Sequence, residues 1–379
     1  MDQLMSTSFE DINLEQKPYL LGAIYLNITD RCNLKCRHCW LSPDTIPAAK
    51  QGIERRTEST AGLSVSVMRD VINQARPLGL HTIKITGGEP FLRSDVLDFV
   101  SLFHEQELIV DIETNGTLID EFTGEKLKQY QVRTISVSLD SADHEKHDRF
   151  RGMDGAFAMA IKGIEHLQLH NLNTQIIMSL HRGNVEEIDD IALLAADLGA
   201  QSLKINPIMP IGRGYKMRQE ALTLSVEELI ELSRNIRERL QPKIGIPIDY
   251  CLPIAFEPFK DIVEGNHAEC PILNILGIVE NGDISFCGIE NVEKDLVMGN
   301  INRDRLDTIW MNHPLLKTMR DSVPWQLEGI CGKCFFKKIC LGTCRACAYH
   351  LEKSLTAPYW FCQEAFDRGL FPETRYLHQ

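Results

Sequence analysis

The stretch Asn27-Ile-Thr-Asp-Arg-Cys32-Asn-Leu-Lys-Cys36-Arg-His-Cys39-Trp40 decides the fold of this chain. An apolar run from Ala23 to Thr29 leads into it and is typical of a buried strand. Cys32, Cys36 and Cys39 lie on one short loop, so three thiolates can hold one metal cluster. A four-iron cluster needs four ligands and no fourth cysteine is nearby, so one iron is left open to another ligand. Structural zinc normally has four protein ligands and fits the trio poorly.

Apolar runs alternate with amphipathic stretches from residue 22 to residue 240. The predicted strands are Ala23–Thr29, Thr82–Thr86, Leu108–Glu113, Arg133–Leu139, Thr174–Leu180 and Ser202–Asn206. The predicted helices are Ser64–Leu78, Ser94–His104, Leu118–Tyr130, Ala156–His170 and Val185–Leu198. Six strands alternating with helices predict an α/β unit with a parallel sheet and right-handed crossovers. Its ligands are expected at the carboxyl ends of the strands.

The character of the sequence changes after Leu240. Residues 241–269 form a proline-rich bridging segment, and 270–379 form a small cysteine-rich unit. Residues 1–21 precede the first strand as an N-terminal extension. Short strands are predicted at Gly277–Val279 and Asp283–Phe286, around an Asn-Gly turn. We expect little other regular structure there, because metal rather than an apolar core would hold the unit together.

The bulk composition narrows the functional classes. The 379 residues suffice for two or three units, and a net charge of −13 argues against a large nucleic-acid surface. Met1 to Pro18 lacks the features of a secretory signal, and no apolar run approaches the roughly 18 residues that cross a bilayer. Twelve cysteines in such a chain favour metal binding over disulfides. We therefore expect a cytoplasmic metalloprotein that binds neither nucleic acid nor membranes.

A second motif, Gly87-Gly88-Glu89-Pro90, follows the second predicted strand. Its glycines let the backbone approach a ligand closely, and its carboxylate can pair with an ammonium group. The cysteine trio after the first strand, together with this motif, resembles the signature of the radical S-adenosylmethionine (SAM) superfamily. The resemblance implies a partial (β/α)6 barrel whose cluster leaves one iron open. It also implies that SAM chelates that iron, that Gly87 to Pro90 hold its amino group, and that a 5′-deoxyadenosyl radical forms.

Weaker matches to the superfamily lie at later strand ends. Thr114-Asn115-Gly116 follows the third strand, and Ser138 and Asp140 end the fourth, where related enzymes contact the ribose and methionyl groups. The resemblance implies that Arg151 or Arg182 pairs with the methionyl carboxylate through a two-pronged contact. An ordinary turn and ordinary surface arginines are the alternatives.

The C-terminal cysteines have an ordered spacing. The spaced positions are Cys270, Gly282, Cys287, Cys331, Cys334, Cys340, Cys344 and Cys362. This order resembles the SPASM domain, an extension of radical SAM enzymes that mostly modify peptides and proteins. The resemblance extends from about Leu20 to about Leu370, which is nearly the whole chain.

Carried over by position, the SPASM resemblance implies two auxiliary [4Fe–4S] clusters. The first would be held by Cys270, Cys287 and Cys344, and the second by Cys331, Cys334, Cys340 and Cys362. Cys251 is the expected fourth ligand of the first cluster, and the alternatives are Cys347 or an open position. Cys347 could also be a reactive thiol or a buried apolar residue. Zinc in both sites is the alternative. The clusters would conduct an electron released by product formation or bind a substrate thiolate, and the sequence leaves both open.

One departure from the family bears on the reaction. In sulfatase-activating relatives an acidic residue directly follows the cysteine that matches Cys287 and serves as a base. Here Gly288 takes that position and Glu290 lies two residues further, which disfavours sulfatase-type maturation. We therefore expect maturation of a ribosomally made peptide by thioether crosslinking. Carbon–carbon crosslinking, epimerisation, tetrapyrrole side-chain processing and a non-enzymatic electron carrier remain alternatives.

The expected partners follow from this resemblance. Many peptide-maturing relatives begin with a module that grips a leader segment by strand addition, and only Met1 to Leu21 precede the first strand here. We therefore expect a peptide substrate presented by a separate leader-recognition protein, and direct binding to the barrel and SPASM surfaces is the alternative. The resemblance also implies a flavodoxin- or ferredoxin-type electron donor.

Overall fold

The computed structural model describes most of the chain. The described residues are 19–41, 44–45, 62–250, 252–265, 267, 270–288 and 293–377. Cys251 and Glu290, both named in the sequence analysis, lie outside them. Within the described ranges no helix combines the length and apolarity needed to cross a bilayer.

One ten-stranded sheet organises the described residues. Its strands are β1 Ala23–Asn27, β2 Thr82–Thr86, β3 Ile109–Thr114, β4 Thr134–Ser138, β5 Thr174–Leu180, β6 Ser202–Pro207, β7 Ile248–Asp249, β8 Ile275–Val279, β9 Asp283–Ser285 and β10 Gly299–Asn300. Their order across the sheet is β10-β9-β8-β1-β2-β3-β4-β5-β6-β7. All pairs from β8 to β7 are parallel, and only β8–β9 and β9–β10 are antiparallel. The predicted parallel α/β architecture is confirmed.

Fifteen α-helices surround or follow the sheet in the described ranges. They are α1 Val65–Ala75, α2 Val96–Glu105, α3 Glu121–Gln129, α4 His144–Arg151, α5 Ala156–Leu169, α6 Ile188–Asp197, α7 Arg213–Gln219, α8 Val226–Asn235, α9 Phe259–Val263, α10 Leu306–Asn312, α11 Pro314–Ser322, α12 Gly329–Lys333, α13 Lys337–Cys340, α14 Arg345–Glu352 and α15 Trp360–Asp367. The expectation of little regular structure in the cysteine-rich unit was wrong, because α10 to α15 all lie there. These helices are short, and their sequence periodicity is correspondingly weak.

The cysteine-rich region joins the sheet of the barrel directly. β8 pairs in parallel with β1, in a register that places Ala23 opposite Ile275 and Asn27 opposite Val279. Sequence patterns give no signal for a pairing between segments so far apart. As a result, the carboxyl end of β8 lies beside the carboxyl end of β1, which leads into the first cysteine loop.

The two faces of the sheet differ in polarity. Alternate residues of a strand point to opposite faces. One face buries Ile24, Leu26, Ile83 and Ile85 in a core shared with helix residues such as Phe99. The other face carries the polar side chains of the barrel interior. The helices therefore cover one side, and the second side is left for ligands.

Candidate functional site

The first cysteine loop lies at the carboxyl end of β1 and is held by the end of α4. Cys32 and Cys36 are buried and Cys39 is half-buried. The backbone N–H of Lys35 donates to the Arg151 carbonyl at 2.9 Å. At Gly152, where α4 ends with φ of 73°, a Cβ atom would lie 2.8 Å from the Lys35 carbonyl oxygen. Only glycine permits this close approach.

Arg151 links the loop to a buried carboxylate. Its Nε and Nη2 donate to the two oxygens of Asp140 at 2.6 and 2.9 Å, and its Nη1 lies 3.6 Å from the Cys36 sulfur. Burial alone would raise the pKa of Asp140, but the Arg151 guanidinium overcomes it and lowers that pKa to about 2. Asp140 also accepts from the Ser179 N–H at 2.8 Å. The guanidinium of Arg151, which was predicted to hold the methionyl carboxylate, is therefore bound to Asp140.

The Gly-Gly-Glu-Pro motif packs against the start of the cysteine loop. The Gly88 N–H donates to the Thr29 carbonyl at 2.7 Å, and the Glu89 N–H donates to the Arg31 carbonyl at 2.8 Å. Gly87 has φ of 125°, and a Cβ atom on Gly88 would lie 1.9 Å from the Arg31 carbonyl oxygen. The two glycines are therefore required for the motif to meet the loop.

Glu89 is completely buried beneath this junction. Its carboxylate accepts from the Thr114 hydroxyl at 2.8 Å, from the Asn115 N–H at 2.8 Å and from the Phe91 N–H at 3.1 Å. Burial raises the pKa of Glu89 to about 7, against the effect of these donors. The motif and the turn after β3 thus form one unit at adjacent strand ends.

Asn115 completes the junction from the β3 side. Its Nδ2 donates to Asn33 Oδ1 at 2.8 Å and lies 3.9 Å from the Cys32 sulfur. Asn33 in turn donates to the Thr117 hydroxyl at 2.8 Å. The cysteine loop, the glycine motif and the Thr-Asn-Gly turn, all predicted from sequence, are therefore brought together.

The structure also places two further predicted residues, Ser138 and Arg182. Ser138 ends β4 at the same edge of the sheet. Arg182 holds Glu228 with both prongs at 2.7 Å and is about half exposed. The predicted contact of Arg182 with a methionyl carboxylate would require that ion pair to open.

Sequence reasoning missed His38, inside the cysteine loop. Its Nε2 lies 3.1 Å from the Ser179 hydroxyl, and its ring stacks on Phe150 with centroids 4.8 Å apart. Burial, followed by the charge of Arg151, lowers the pKa of His38 to about 3. The ring is therefore neutral and acts as a spacer between the loop and α4. Its position between Cys36 and Cys39 is the sequence feature that could have pointed to it.

Four C-terminal cysteines surround a single recess. Cys331, Cys334, Cys340 and Cys362 line about 290 Å³ of space not filled by protein atoms. A hydrogen bond with Cys362 lowers the pKa of Cys331 to about 7. Burial raises the pKa of Cys334 to about 11, and the charges of Cys340 and Cys331 add to that. The four thiols predicted for one auxiliary cluster therefore belong to one site.

Two further cysteines lie near Tyr25, in the middle of β1. Burial, followed by the charge of Cys344, raises the pKa of Cys270 to about 12. Tyr25, on β1, is close enough to both Cys270 and Cys287 for each thiolate to raise its pKa further, after burial and the opposing Lys84 charge. Cys270 and Cys287 therefore lie near Tyr25, and Cys270 also lies near Cys344 at the start of α14.

Cys347 lies beside Cys344. It is completely buried, and its N–H donates to the Cys344 sulfur at 3.4 Å. Burial, followed by the charge of Cys344, raises the pKa of the Cys347 thiol. Cys251, the other candidate for a fourth ligand, lies outside the described residues.

The interior face of the barrel is polar and charge-balanced. Lys84 on β2 and Glu113 on β3 form an ion pair of 2.5 Å. Burial opposes ionisation of Glu113, but Lys84 and then Lys204 hold its pKa below the ordinary value. Asp249 on β7 accepts from Gln175 at 3.2 Å and also lies near Lys204. Since β6 reaches across to β3 in this way, the sheet curves around an interior.

Comparison with known proteins identifies the arrangement. The model of the Radical SAM superfamily matches residues 26–195, and that of an iron–sulfur cluster-binding domain, SPASM, matches residues 270–335. The AdoMet-dependent heme synthase of Methanosarcina barkeri is 30% identical over 85% of this chain and 90% of its own length. The chain belongs to the radical SAM superfamily. The predicted family, fold and enzymatic nature are confirmed.

Other proteins resemble this radical SAM enzyme across most of its length. The antilisterial bacteriocin subtilosin biosynthesis protein AlbA of Bacillus subtilis is 29% identical over 82% of this chain and 66% of its own. The crystal structure of Streptococcus suis SuiB bound to S-adenosylmethionine superposes with a TM-score of 0.71 at 19% identity. That superposition covers 91% of this chain and 78% of SuiB, and it shows the shared fold.

The cofactors of the radical SAM enzyme follow from its family. It uses a [4Fe–4S] cluster with S-adenosylmethionine, which supply a carbon-centred radical, and its SPASM domain binds iron–sulfur clusters. The described residues fit these groups. Cys32, Cys36 and Cys39 share one loop that meets a motif in which an added Cβ atom would clash, and four further cysteines line one recess.

Proposed function

We propose that this radical SAM enzyme modifies a ribosomally made peptide by joining a cysteine sulfur to a carbon, which forms a thioether crosslink. Two of its relatives have names that point to different chemistries, a heme synthase and a bacteriocin biosynthesis protein. The charge balance of the barrel interior favours a peptide substrate over a tetrapyrrole.

A carboxylate-bearing tetrapyrrole needs cations that are free to pair with it. Among the described residues of the interior face, Lys84 is bound to Glu113, and Lys204 lies near both Glu113 and Asp249. A carboxylate entering this space would have to displace an existing ion pair. The remaining groups on this face include amides and hydroxyls such as Gln175 and Ser202, which suit a peptide backbone.

A recess at the mouth of the barrel supports the same choice. It is lined by Asn27, Asp30 and Glu280. Asn27 is buried, and neither its Nδ2 nor its Oδ1 has a hydrogen-bond partner among the described residues. A side-chain amide with a donor and an acceptor both unused complements a peptide bond. The two acidic neighbours would repel a polycarboxylate.

Gly288 favours a crosslink over sulfatase-type oxidation. It has φ of 93°, and a Cβ atom there would lie 2.3 Å from Asn27 Nδ2. The position that carries an acidic residue in sulfatase-activating relatives therefore has no room for a side chain unless Asn27 moves. Thioether formation removes one hydrogen atom from carbon and one proton from sulfur, and leaves one electron for an iron–sulfur centre to accept.

We assign the cluster ligands as the sequence analysis predicts. Cys32, Cys36 and Cys39 hold the cluster that binds SAM, and the four thiols around the 290 Å³ recess hold one auxiliary cluster. Cys270, Cys287 and Cys344 hold the other, with either Cys251 or Cys347 as the fourth ligand. A separate leader-recognition protein and a flavodoxin- or ferredoxin-type donor complete the proposal.

Mass spectrometry tests the proposal directly. The reconstituted enzyme is incubated anaerobically with SAM, a reductant and the cysteine-containing precursor peptide encoded beside it. We expect the peptide to lose two hydrogen atoms and one alkylatable thiol. A Cys→Ser precursor and a Cys32→Ala enzyme serve as controls, and neither should give this product.

The alternatives give different results in the same experiment. If the peptide loses two hydrogens and every thiol can still be alkylated, the product is a carbon–carbon crosslink and the thioether proposal is wrong. No change in the peptide, together with a mass change in the side chains of an added iron–porphyrin, would overturn the proposal in favour of tetrapyrrole processing.

A further inference from the structure

A buried arginine lies between the two C-terminal cysteine sets. Arg345 follows Cys344 directly, begins α14 and has no exposed surface. Its Nη1 donates to the carbonyls of Leu355 and Ala357 at 3.2 and 2.6 Å, and its Nη2 donates to that of Gly342. Its Nε has no hydrogen-bond partner among the described residues.

The same side chain contacts the wall of the other set. Gly342 lines the recess formed by Cys331, Cys334, Cys340 and Cys362. A Cβ atom on Gly342, which has φ of 74°, would lie 2.5 Å from the guanidinium carbon of Arg345. The guanidinium therefore lies directly behind this wall while its backbone adjoins Cys344. Its charge acts on Cys331 in one set and on Cys270 in the other.

Among the residues that the structure describes, no carboxylate pairs with Arg345. None of the ion pairs within the described ranges involves it; its three acceptors are neutral carbonyls. A fully buried cation without a counter-ion is strongly unfavourable. A cubane held by four thiolates is an anion, so two such groups on either side would supply the missing negative charge.

We propose that Arg345 is a positioning residue for electron transfer, a shared buried cation that raises the reduction potential of both auxiliary clusters. Reduction adds one electron and no proton, so the site becomes more negative by one charge. A fixed cation in a low-dielectric interior stabilises the reduced form more than the oxidised form. This inference depends on the assignment of the two cysteine sets to clusters and is independent of the substrate.

Potentiometric titration followed by electron paramagnetic resonance (EPR) tests the inference on the reconstituted holoenzyme. For Arg345→Gln, we expect the reduced-to-oxidised ratio of the auxiliary signals to fall at least tenfold at the wild-type midpoint, which is about 59 mV for a one-electron couple. Arg345→Lys, which keeps the charge, should stay close to the wild type. Arg305→Gln, at an exposed arginine paired with Asp307, is the matched control.

The outcomes separate a charge effect from simple bracing of the loop. An Arg345→Gln protein with full iron and an unchanged titration would overturn the proposal. If neither Arg345→Gln nor the apolar Arg345→Met retains iron, the Arg345→Lys variant distinguishes a charge effect from bracing of the loop. Retention of iron by the lysine variant supports a requirement for the charge, whereas its loss would show that the hydrogen-bonding fork matters and would overturn the proposal.

Discussion

Arg151 Nη1 lies 3.6 Å from the sulfur of Cys36 while the other two nitrogens of the same guanidinium hold Asp140. One buried cation thus connects a cluster-loop thiol on the β1 side with a carboxylate that follows β4. Asp140 also accepts from the backbone of β5, so three strand ends are tied together at this point.

Replacement of Arg151 tests this connection. Arg151→Gln leaves the Asp140 carboxylate buried without its partner, and loss of one partner of such a pair costs about 3–5 kcal/mol. We expect the free energy of unfolding to fall by about that amount, and reconstituted iron to fall by about one cluster. Urea denaturation and iron analysis measure the two effects. Arg149→Gln, at the exposed neighbour on α4, should change neither.

A methyl group at Gly88 should separate the glycine motif from the cysteine loop. The added Cβ would meet the Arg31 carbonyl oxygen at 1.9 Å, and backbone on both sides has little freedom to move. We expect Gly88→Ala to weaken SAM binding at least tenfold, as measured by equilibrium dialysis. Gly245→Ala is the control, because a Cβ there meets nothing within 4 Å. Equal affinity in the two variants would contradict the role given to the motif.

Glu89 should matter for SAM binding more than for cluster retention. Glu89→Gln keeps the volume but turns an amide group towards the Thr114 and Asn115 donors. These donors hold the turn after β3 against the glycine motif, so a loss of about 1.4 kcal/mol in positioning the motif corresponds to about a tenfold loss of SAM affinity. We expect the iron content to stay at the wild-type level. A parallel loss of iron would instead mean that Glu89 only supports the fold.

The interior ion pair should affect peptide modification and leave radical generation intact. Lys84→Met leaves Glu113 without its 2.5 Å partner, and the double variant with Glu113→Gln restores charge balance. We expect SAM cleavage without peptide to be unchanged in both. Crosslinking should fall about tenfold in the single variant and recover in part in the double variant. If Lys84→Met crosslinks the peptide as well as the wild type does, the barrel interior is not part of the peptide-binding site.

Much of the barrel and its site follows from local sequence. The strands that end at Asn27 and Thr86 are short segments rich in apolar or β-branched residues, and the motifs after them consist of residue types with few structural uses. The turn at Asn115 is equally visible. Because parallel strands bring their carboxyl ends together, adjacent motifs in the strand order had to meet.

The remainder depends on packing between distant segments. The Asp140–Arg151 pair was not foreseen, since α4 is mostly solvated and only His147, Phe150 and Arg151 are buried on it. The pairing of β8 with β1 joins segments separated by the whole barrel. No periodicity in either segment specifies the other as its neighbour.

We propose that Cys32, Cys36 and Cys39 hold a cluster with an open iron that takes SAM as a ligand. EPR of the anaerobically reconstituted, reduced enzyme tests it most directly, with both auxiliary sets removed by cysteine substitution. We predict that added SAM changes the g-values of the remaining signal. A signal that SAM leaves unaltered, in protein that retains this cluster, would show that no iron of the cluster binds SAM.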